Sequence, residues 1–261
     1  MQKKWQMKLV LLLTLLGAVG IVAIIPYEYT MLMDTEFYQS HPDAMPLPFV
    51  ITINSVIKIG FLFILVLIGV RLQRRTGLGV PKIESLVYEK QLPNFSRKGV
   101  WLSVSITFVL SVLLILSDLF LFSPFISSAI GEQVKPIWWQ GILAMIYGGI
   151  TEELMLRLFG MTFIVWVLAV IMRREKEAIP PSFYYIAIFL TAILFGIGHL
   201  PATMELFGEL SAIIVTRAIV LNGLVGVWFG YLYWRKGLEY AIIAHMSADF
   251  FIHVLFMQLL S

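Results

Sequence analysis

Two adjacent carboxylates and an arginine, Glu152, Glu153 and Arg157, stand inside an apolar run that extends from Ile137 to Met172. The segment reads Gly148-Gly149-Ile150-Thr151-Glu152-Glu153-Leu154-Met155-Leu156-Arg157. An ionised side chain near the centre of a bilayer costs roughly 2.5–3.5 kcal/mol on insertion scales. Residues of this kind face a bundle interior or a wet cavity, and they mark function. The chain must therefore fold so that these three groups are withdrawn from lipid.

That the surroundings are lipid follows from composition. Of 261 residues 59% are hydrophobic and 13% charged, and the mean hydropathy is +0.89, values beyond the reach of a soluble domain with a polar surface. The expected fold is all-α, a polytopic membrane helix bundle. The net charge of +3 is modest, and Lys and Arg gather in a few connecting segments. They read as topology signals, and nucleic acid is not an expected partner. With no cysteine in the chain, disulfides, thiolate nucleophiles and Cys-ligated zinc are excluded.

Lys3, Lys4 and Lys8 precede an apolar run from Leu9 to Ile25. This run exceeds the h-region of a signal peptide and lies near the ~17-residue lower limit for spanning, so it reads as a retained first helix. Glu28, Asp34, Glu36 and Asp43 follow without a basic residue. Phe49 to Val70 is the second span, and Arg71, Arg74, Arg75, Lys82, Lys90, Arg97 and Lys98 crowd the connection after it. The positive-inside rule puts that connection and the N-terminus in the cytoplasm. Further spans follow at Val100–Phe122, Ile137–Met172, Phe183–His199, about Ser211–Trp234 and Leu238–Leu260. Arg173, Arg174 and Lys176, then Arg235 and Lys236, mark inner connections; a single Lys135, then Glu205 and Glu209, occupy outer ones. Basic and non-basic connections thus alternate over seven spans.

Two runs strain this count. Ile137 to Met172 as one helix would be about 54 Å long against a ~30 Å hydrocarbon core, so it must tilt, break near Gly160 or extend beside other protein. Leu206 to Arg235 is also long, and a hairpin at Asn222-Gly223 would raise the count to eight spans. Residues 1–136 are expected to form an N-terminal three-helix membrane region and residues 137–261 the catalytic membrane core.

Three constellations carry candidate chemistry. Glu153 and Arg157, at i,i+4, share a helix face, while Glu152 projects about 100° away. One carboxylate is then held by the arginine and the other is free for chemistry; the structural alternative is an ion-pair cluster that locks helix packing. Phe195-Gly196-Ile197-Gly198-His199 ends a span with an imidazole, which serves as base, acid or metal ligand or simply sits at the interface. Gly196 and Gly198 admit close approach of another backbone. His245-Met246-Ser247-Ala248-Asp249 puts imidazole and carboxylate one turn apart on one face, with small residues between them. Its structural alternative is an Asp–His hydrogen bond that satisfies two buried groups. His253 would extend that face. Lys58 and Asp118 read as packing or interface features, Asn222 as an isolated polar residue, and Arg217 as a balance for a carboxylate of the site.

Glu-Glu-x-x-x-Arg, Phe-x-x-x-His and His-x-x-x-Asp, in that order on separate spans, resemble the motifs of the CPBP family. These are the CAAX-protease and bacteriocin-processing intramembrane proteases, which include the type II CAAX prenyl endopeptidases. The resemblance covers about Ile137 to Asp249. It implies an intramembrane endopeptidase in which Glu152 and His199 activate the attacking water and His245 and Asp249 stabilise the oxyanion. Glu153 and Arg157 would support them. Hydrolysis needs a base for water, donors for the oxyanion and an acid for the leaving amine, and these residues supply them without a serine nucleophile.

Position 249 departs from the many relatives that carry Asn, because an ionised Asp accepts and does not donate. Asp249 would be a protonated donor, an orienting partner of His245, or a ligand if Glu152, His199, His245 and Asp249 hold a divalent metal such as zinc. The expected mechanism requires no cofactor, with zinc as the alternative. Expected partners are membrane lipids and a peptide or membrane-anchored protein substrate, and the expected location is a bacterial cell membrane.

Depth gives a partial test of co-location. Glu152 lies about 22 Å along its helix from the outer end and His245 about 10 Å from the inner end of its own. His199, at the end of its span, falls on the outer side. For the motifs to meet, its helix must start well outside the bilayer or the chain must turn back near Gly160. A non-catalytic scaffold or immunity protein with the same fold is the rival from another class, and a transporter with a midplane carboxylate is third.

Overall fold

The computed structural model describes residues 2–33, 35, 38, 40–41, 45–126 and 137–259, and among them every regular element is helical. Lys135, the boundary residue Pro136 and the loop acids Asp34, Glu36 and Asp43 lie outside the described residues. Among the described residues seven helices are long and apolar enough to cross a membrane: α1 Gln6–Met33, α2 Leu47–Thr76, α3 Arg97–Ile126, α4 Trp138–Ile171, α5 Pro181–Phe207, α6 Ala212–Lys236 and α7 Leu238–Phe256. Helices satisfy their backbone groups internally, which is the condition for a segment to cross lipid.

The burial pattern is that of a bundle in lipid. On α1 the row Leu11, Leu15, Val19 and Val22 is exposed, while Leu9, Leu13 and Ile21 are buried in the core. The first apolar run is thus packed into the bundle. On α3 the inward row is Gly99, Ser103, Thr107 and Ser111, and the outward residues include Trp101, Phe108, Val109 and Leu113. Small residues inside and large apolar ones outside let helices approach closely where no hydrophobic force drives them together. Thr107 Oγ1 accepts from Trp228 Nε1 at 3.2 Å, which ties α3 to α6.

Both long runs remain unbroken, and the hairpin alternative is corrected. α6 passes through Asn222-Gly223 as one helix because Asn222 Nδ2 donates to Ala218 O at 2.8 Å, so its own helix satisfies the amide. The count is seven. α4 passes Gly160 without a break, through π-helical turns at Tyr147–Glu152 and Leu154–Met161. Its 34 residues span roughly 50 Å, so it extends beyond the hydrocarbon core.

The depth conflict at His199 is also resolved. His199 does not end its span: it is the joint between Pro181–Gly198 and Leu200–Phe207, and both pieces belong to α5. Pro201 at the start of the second piece fits a first helical turn, where its missing N–H is not needed, so the helix resumes past the histidine.

α7 begins deep rather than at the level where α4 ends. Leu238 is fully buried and its N–H donates to Gly79 O at 3.1 Å. Glu239 Oε1 accepts from the backbone N–H groups of Lys82 and Ile83 at 2.7 and 2.9 Å. Gly77, at φ 74, turns the chain out of α2 into this loop, a conformation that costs glycine nothing. Tyr233 O–H, near the end of α6, shares a 2.8 Å hydrogen bond with Thr162. Since α4 runs on for nine residues past Thr162 to Ile171, it overshoots this level by roughly 13 Å.

Ion pairs also form away from the acidic pair of α4. Lys58 Nζ donates to Glu28 Oε1 at 2.5 Å. Arg217 donates from Nε and Nη2 to the two carboxylate oxygens of Asp118, both at 2.6 Å, and lies over the Phe207 ring. The expectation that Arg217 balances a carboxylate of the site is therefore corrected: its partner is Asp118. Asp118→Leu and Arg217→Leu each leave the other group unpaired, so both are expected to lower the unfolding temperature in detergent. The double variant should recover part of the loss, with a coupling of roughly 0.5–3 kcal/mol in a double-mutant cycle.

Candidate active site

α4 and α7 bring the acidic pair against the His-x-x-x-Asp motif. His245 Nδ1 donates to Glu153 Oε1 at 2.9 Å. Its Nε2 lies 3.8 Å from Glu152 Oε2 and 3.7 Å from Asp249 Oδ2. Glu153 accepts on one side of the ring, and the other nitrogen is thereby turned into the space between two carboxylates. The π-helical turn from Tyr147 to Glu152 re-aims the helix immediately before the acidic pair, a role such turns have at functional sites.

The glycines before the acidic pair explain how the two helices come so close. A Cβ on Gly148 would stand 2.7 Å from Asp249 Oδ2 and 3.0 Å from His245 Nε2, and one on Gly149 would run into Met246. Any side chain at 148 would displace the groups that meet there.

Behind the ring the site is dry. Phe229 stacks on His245 with centroids 4.6 Å apart and 17° between planes, and Phe195 meets it edge-on at 5.3 Å. Arg157, 0% exposed, lies 5.3 Å from the Phe195 centroid and 5.6 Å from that of Phe229. It donates from Nη2 to Gly226 O at 2.9 Å, and its Nη1 is 3.4 Å from Glu153 Oε1. Glu153 is also 0% exposed, whereas the side chains of Glu152 and Asp249 keep 22% and 16% of their surface. One carboxylate is sealed in and two remain reachable.

His199 stands one ring away from this group. Its Nδ1 bonds the carbonyl of Phe195 at 2.8 Å, and its ring packs against that of Phe195 at 4.7 Å. A carbonyl only accepts, so Nδ1 carries the proton and the lone pair of the neutral ring is on Nε2. Phe195 therefore lies between the two histidines. Among the described residues His199 makes neither a hydrogen bond nor an ion pair with Glu152. The structure thus brings Glu152, Glu153, Arg157, His245 and Asp249 together directly, and His199 through Phe195. His253 sets its backbone against Gly141, where a Cβ would stand 2.8 Å from its carbonyl, and lies within electrostatic reach of His199 and His245.

Sequence reasoning placed Glu153 with Arg157 alone; the added partner is His245. It also passed over Gly148, Phe229 and Tyr147, the last within electrostatic reach of Glu152 and Glu28. The Gly148-Gly149 pair ahead of two carboxylates was the signal available for the first of these. Among the described residues no group of three or more His, Asp or Glu side chains is arranged to hold a metal ion.

The model of the family described as type II CAAX prenyl endopeptidase Rce1-like matches residues 134–251. This part of the chain is similar to that family. No curated protein and no solved structure matches the chain. The Rce1-like segment takes in α4, α5, α6 and α7 as far as Phe251, so all three motifs lie inside it. With seven long apolar helices among the described residues, the chain is a multi-pass integral membrane protein.

Breaking a buried pair by removing one partner costs about 3–5 kcal/mol, because the remaining charge is left uncompensated. Glu153→Gln and Arg157→Leu are accordingly expected to reduce the yield of monodisperse protein in size-exclusion chromatography. Glu152→Gln, at a partly exposed carboxylate, should leave that yield at the wild-type level.

Proposed function

We propose that the Rce1-like domain is an endopeptidase that hydrolyses a peptide bond within the membrane. Glu152 and His199 activate the water, and His245 with Asp249 beside it stabilises the oxyanion. The observation that carries the reading is the orientation of His245. A sealed carboxylate fixes Nδ1, so Nε2 faces a partly exposed carboxylate on each side, where a polarised water and a scissile carbonyl can both be met. The third partner that orients the imidazole is the role a buried carboxylate plays in other hydrolytic sites.

In the proposed reaction Glu152 accepts a proton from water, and the hydroxide oxygen forms a bond to the carbonyl carbon. The lone pair of His199 Nε2 accepts from the same water and holds it in line. Charge develops on the carbonyl oxygen and is met by N–H donation from protonated His245 Nε2, an interaction that strengthens as the charge grows. Collapse of the intermediate breaks the C–N bond, and Glu152 returns the proton to the leaving amine. The dry wall of Phe195 and Phe229 raises the strength of these interactions by excluding water from behind the imidazole. The proposed substrate is a membrane-borne peptide, and prenylated C-termini, named in the family's description, are the first class to try.

Loss of a positioned general base costs about 10²–10⁴-fold in rate. Glu152→Gln is expected to lower peptide cleavage in proteoliposomes by that order with the protein folded and inserted; wild-type cleavage by this variant would remove Glu152 from the mechanism.

Asp249→Asn tests the neighbouring position. The amide keeps the shape of the carboxyl and adds an N–H toward the oxyanion. The variant should retain most of its cleavage activity. Elemental analysis of active protein gives the contrary outcome: a stoichiometric metal lost together with activity in Asp249→Asn would make position 249 a ligand.

A further inference from the structure

The connections that carry basic residues do more than orient the chain, because the fold gathers part of each around one hollow. A cavity of about 560 Å³ opens at the end of the bundle where α2 and α6 finish and α7 begins, and Arg74, Lys176, Arg235 and Lys236 line it. These four cations come from three places in the chain: the last turn of α2, the connection after α4 and the last turn of α6. Glu84 is the single carboxylate of the lining. Nearby Glu239 accepts from the backbone N–H groups of Lys82 and Ile83 through Oε1, while its Oε2 is buried without a hydrogen-bond partner among the described residues.

The cations are held open rather than cancelled. Arg235 lies over the Trp234 ring at 5.2 Å and Lys236 over the Tyr240 ring at 5.6 Å, contacts that leave the N–H donors of both free for another acceptor. Arg74 and Lys176 both act on Glu84, whose carboxyl burial pushes up while these two cations pull it down. Even with Glu84 ionised the lining carries a net positive charge.

Aromatic rings at this end of the bundle suit a lipid headgroup. Trp234 stacks on Tyr184 at 4.9 Å and meets Tyr185 and Tyr231 edge-on, a cluster of amphipathic rings of the kind that gathers at the membrane–water interface. A buried acceptor is present as well: Gln73, which lines the cavity, donates from Nε2 to Glu84, while its amide oxygen is buried without a partner. Four cations suit a phosphodiester, and an amide oxygen suits the hydroxyl or ammonium of a headgroup attached to it.

We propose that this cavity binds a phosphate-bearing anion at the inner membrane surface, supplied by the headgroup of an anionic phospholipid. The site is independent of the hydrolytic reading above, since none of its lining residues belongs to the candidate active site.

The test is thermal unfolding of the full-length protein in a neutral detergent. It is titrated separately with phosphatidylglycerol, with phosphatidylcholine and with inorganic phosphate. Phosphatidylglycerol should raise the unfolding temperature by several degrees and phosphatidylcholine should not. Arg235→Gln/Lys236→Gln should abolish the shift, and Arg74→Gln/Lys176→Gln should do the same from the opposite side of the cavity. Lys90→Gln/Lys98→Gln removes the same charge from the same face without touching the cavity and should keep the shift. An equal, variant-sensitive shift with inorganic phosphate alone would retain the anion site but make its ligand a soluble one. A phosphatidylglycerol shift that survives both cavity variants, one that the Lys90/Lys98 control loses equally, or no shift in any arm would overturn the site.

Discussion

The sealed carboxylate of Glu153 is the interaction on which the candidate site depends. Its Oε1 accepts from His245 Nδ1 at 2.9 Å and faces Arg157 Nη1 at 3.4 Å, and neither Glu153 nor Arg157 retains any exposed surface. A carboxylate in this setting is tolerable only because a guanidinium compensates it, and the guanidinium only because Gly226 O and two aromatic faces receive it. The consequence reaches α7. An imidazole that donates to a fixed carboxylate cannot turn, so the direction of Nε2 is settled by an ion pair on another helix.

The sequence was informative where chemistry has a spacing. Glu153–Arg157 and His245–Asp249 are both i,i+4 pairs, and α-helix geometry alone puts each on one face. The number of spans was equally readable, and among the described residues seven helices are long and apolar enough to cross a membrane. Contacts between helices had no such spacing. Glu153 meets His245 across 92 positions and Arg217 meets Asp118 across 99. A single sequence carries no register between helices, so Arg217 was assigned to the wrong carboxylate. His199 was misplaced for a different reason: the span was ended at the histidine, whereas the helix resumes at Leu200 with Pro201 in its first turn.

Glycine placement shows how the bundle resolves the conflict between polar chemistry and close packing. At 196 a Cβ would stand 2.5 Å from the Cα of Ile219, and at 148 it would press on Asp249 and His245. The first glycine sets the distance between α5 and α6, and the second that between α4 and α7. In lipid, where burying apolar area brings no net gain for helix association, such close approaches supply the dispersion contacts that hold helices together. The same absence of side chain that allows the contact also leaves the space in which carboxylates and imidazoles can face one another.

The relative depth of the helices then becomes a matter of the basic end of the bundle. α7 is held to the loop after α2 by Leu238 N–H on Gly79 O and by Glu239 on two backbone N–H groups, none of which involves the candidate site. From Leu238 to His245 is seven residues, roughly 10 Å of helix. A shift of α7 along its axis by one helical turn, about 5.4 Å, would carry His245 out of hydrogen-bond reach of Glu153. Anchoring by backbone donors is stiffer than anchoring by long side chains, because fewer rotatable bonds separate the two elements. The position of His245 is therefore determined from two directions: axially by the loop that caps α7, and in rotation by the carboxylate of α4.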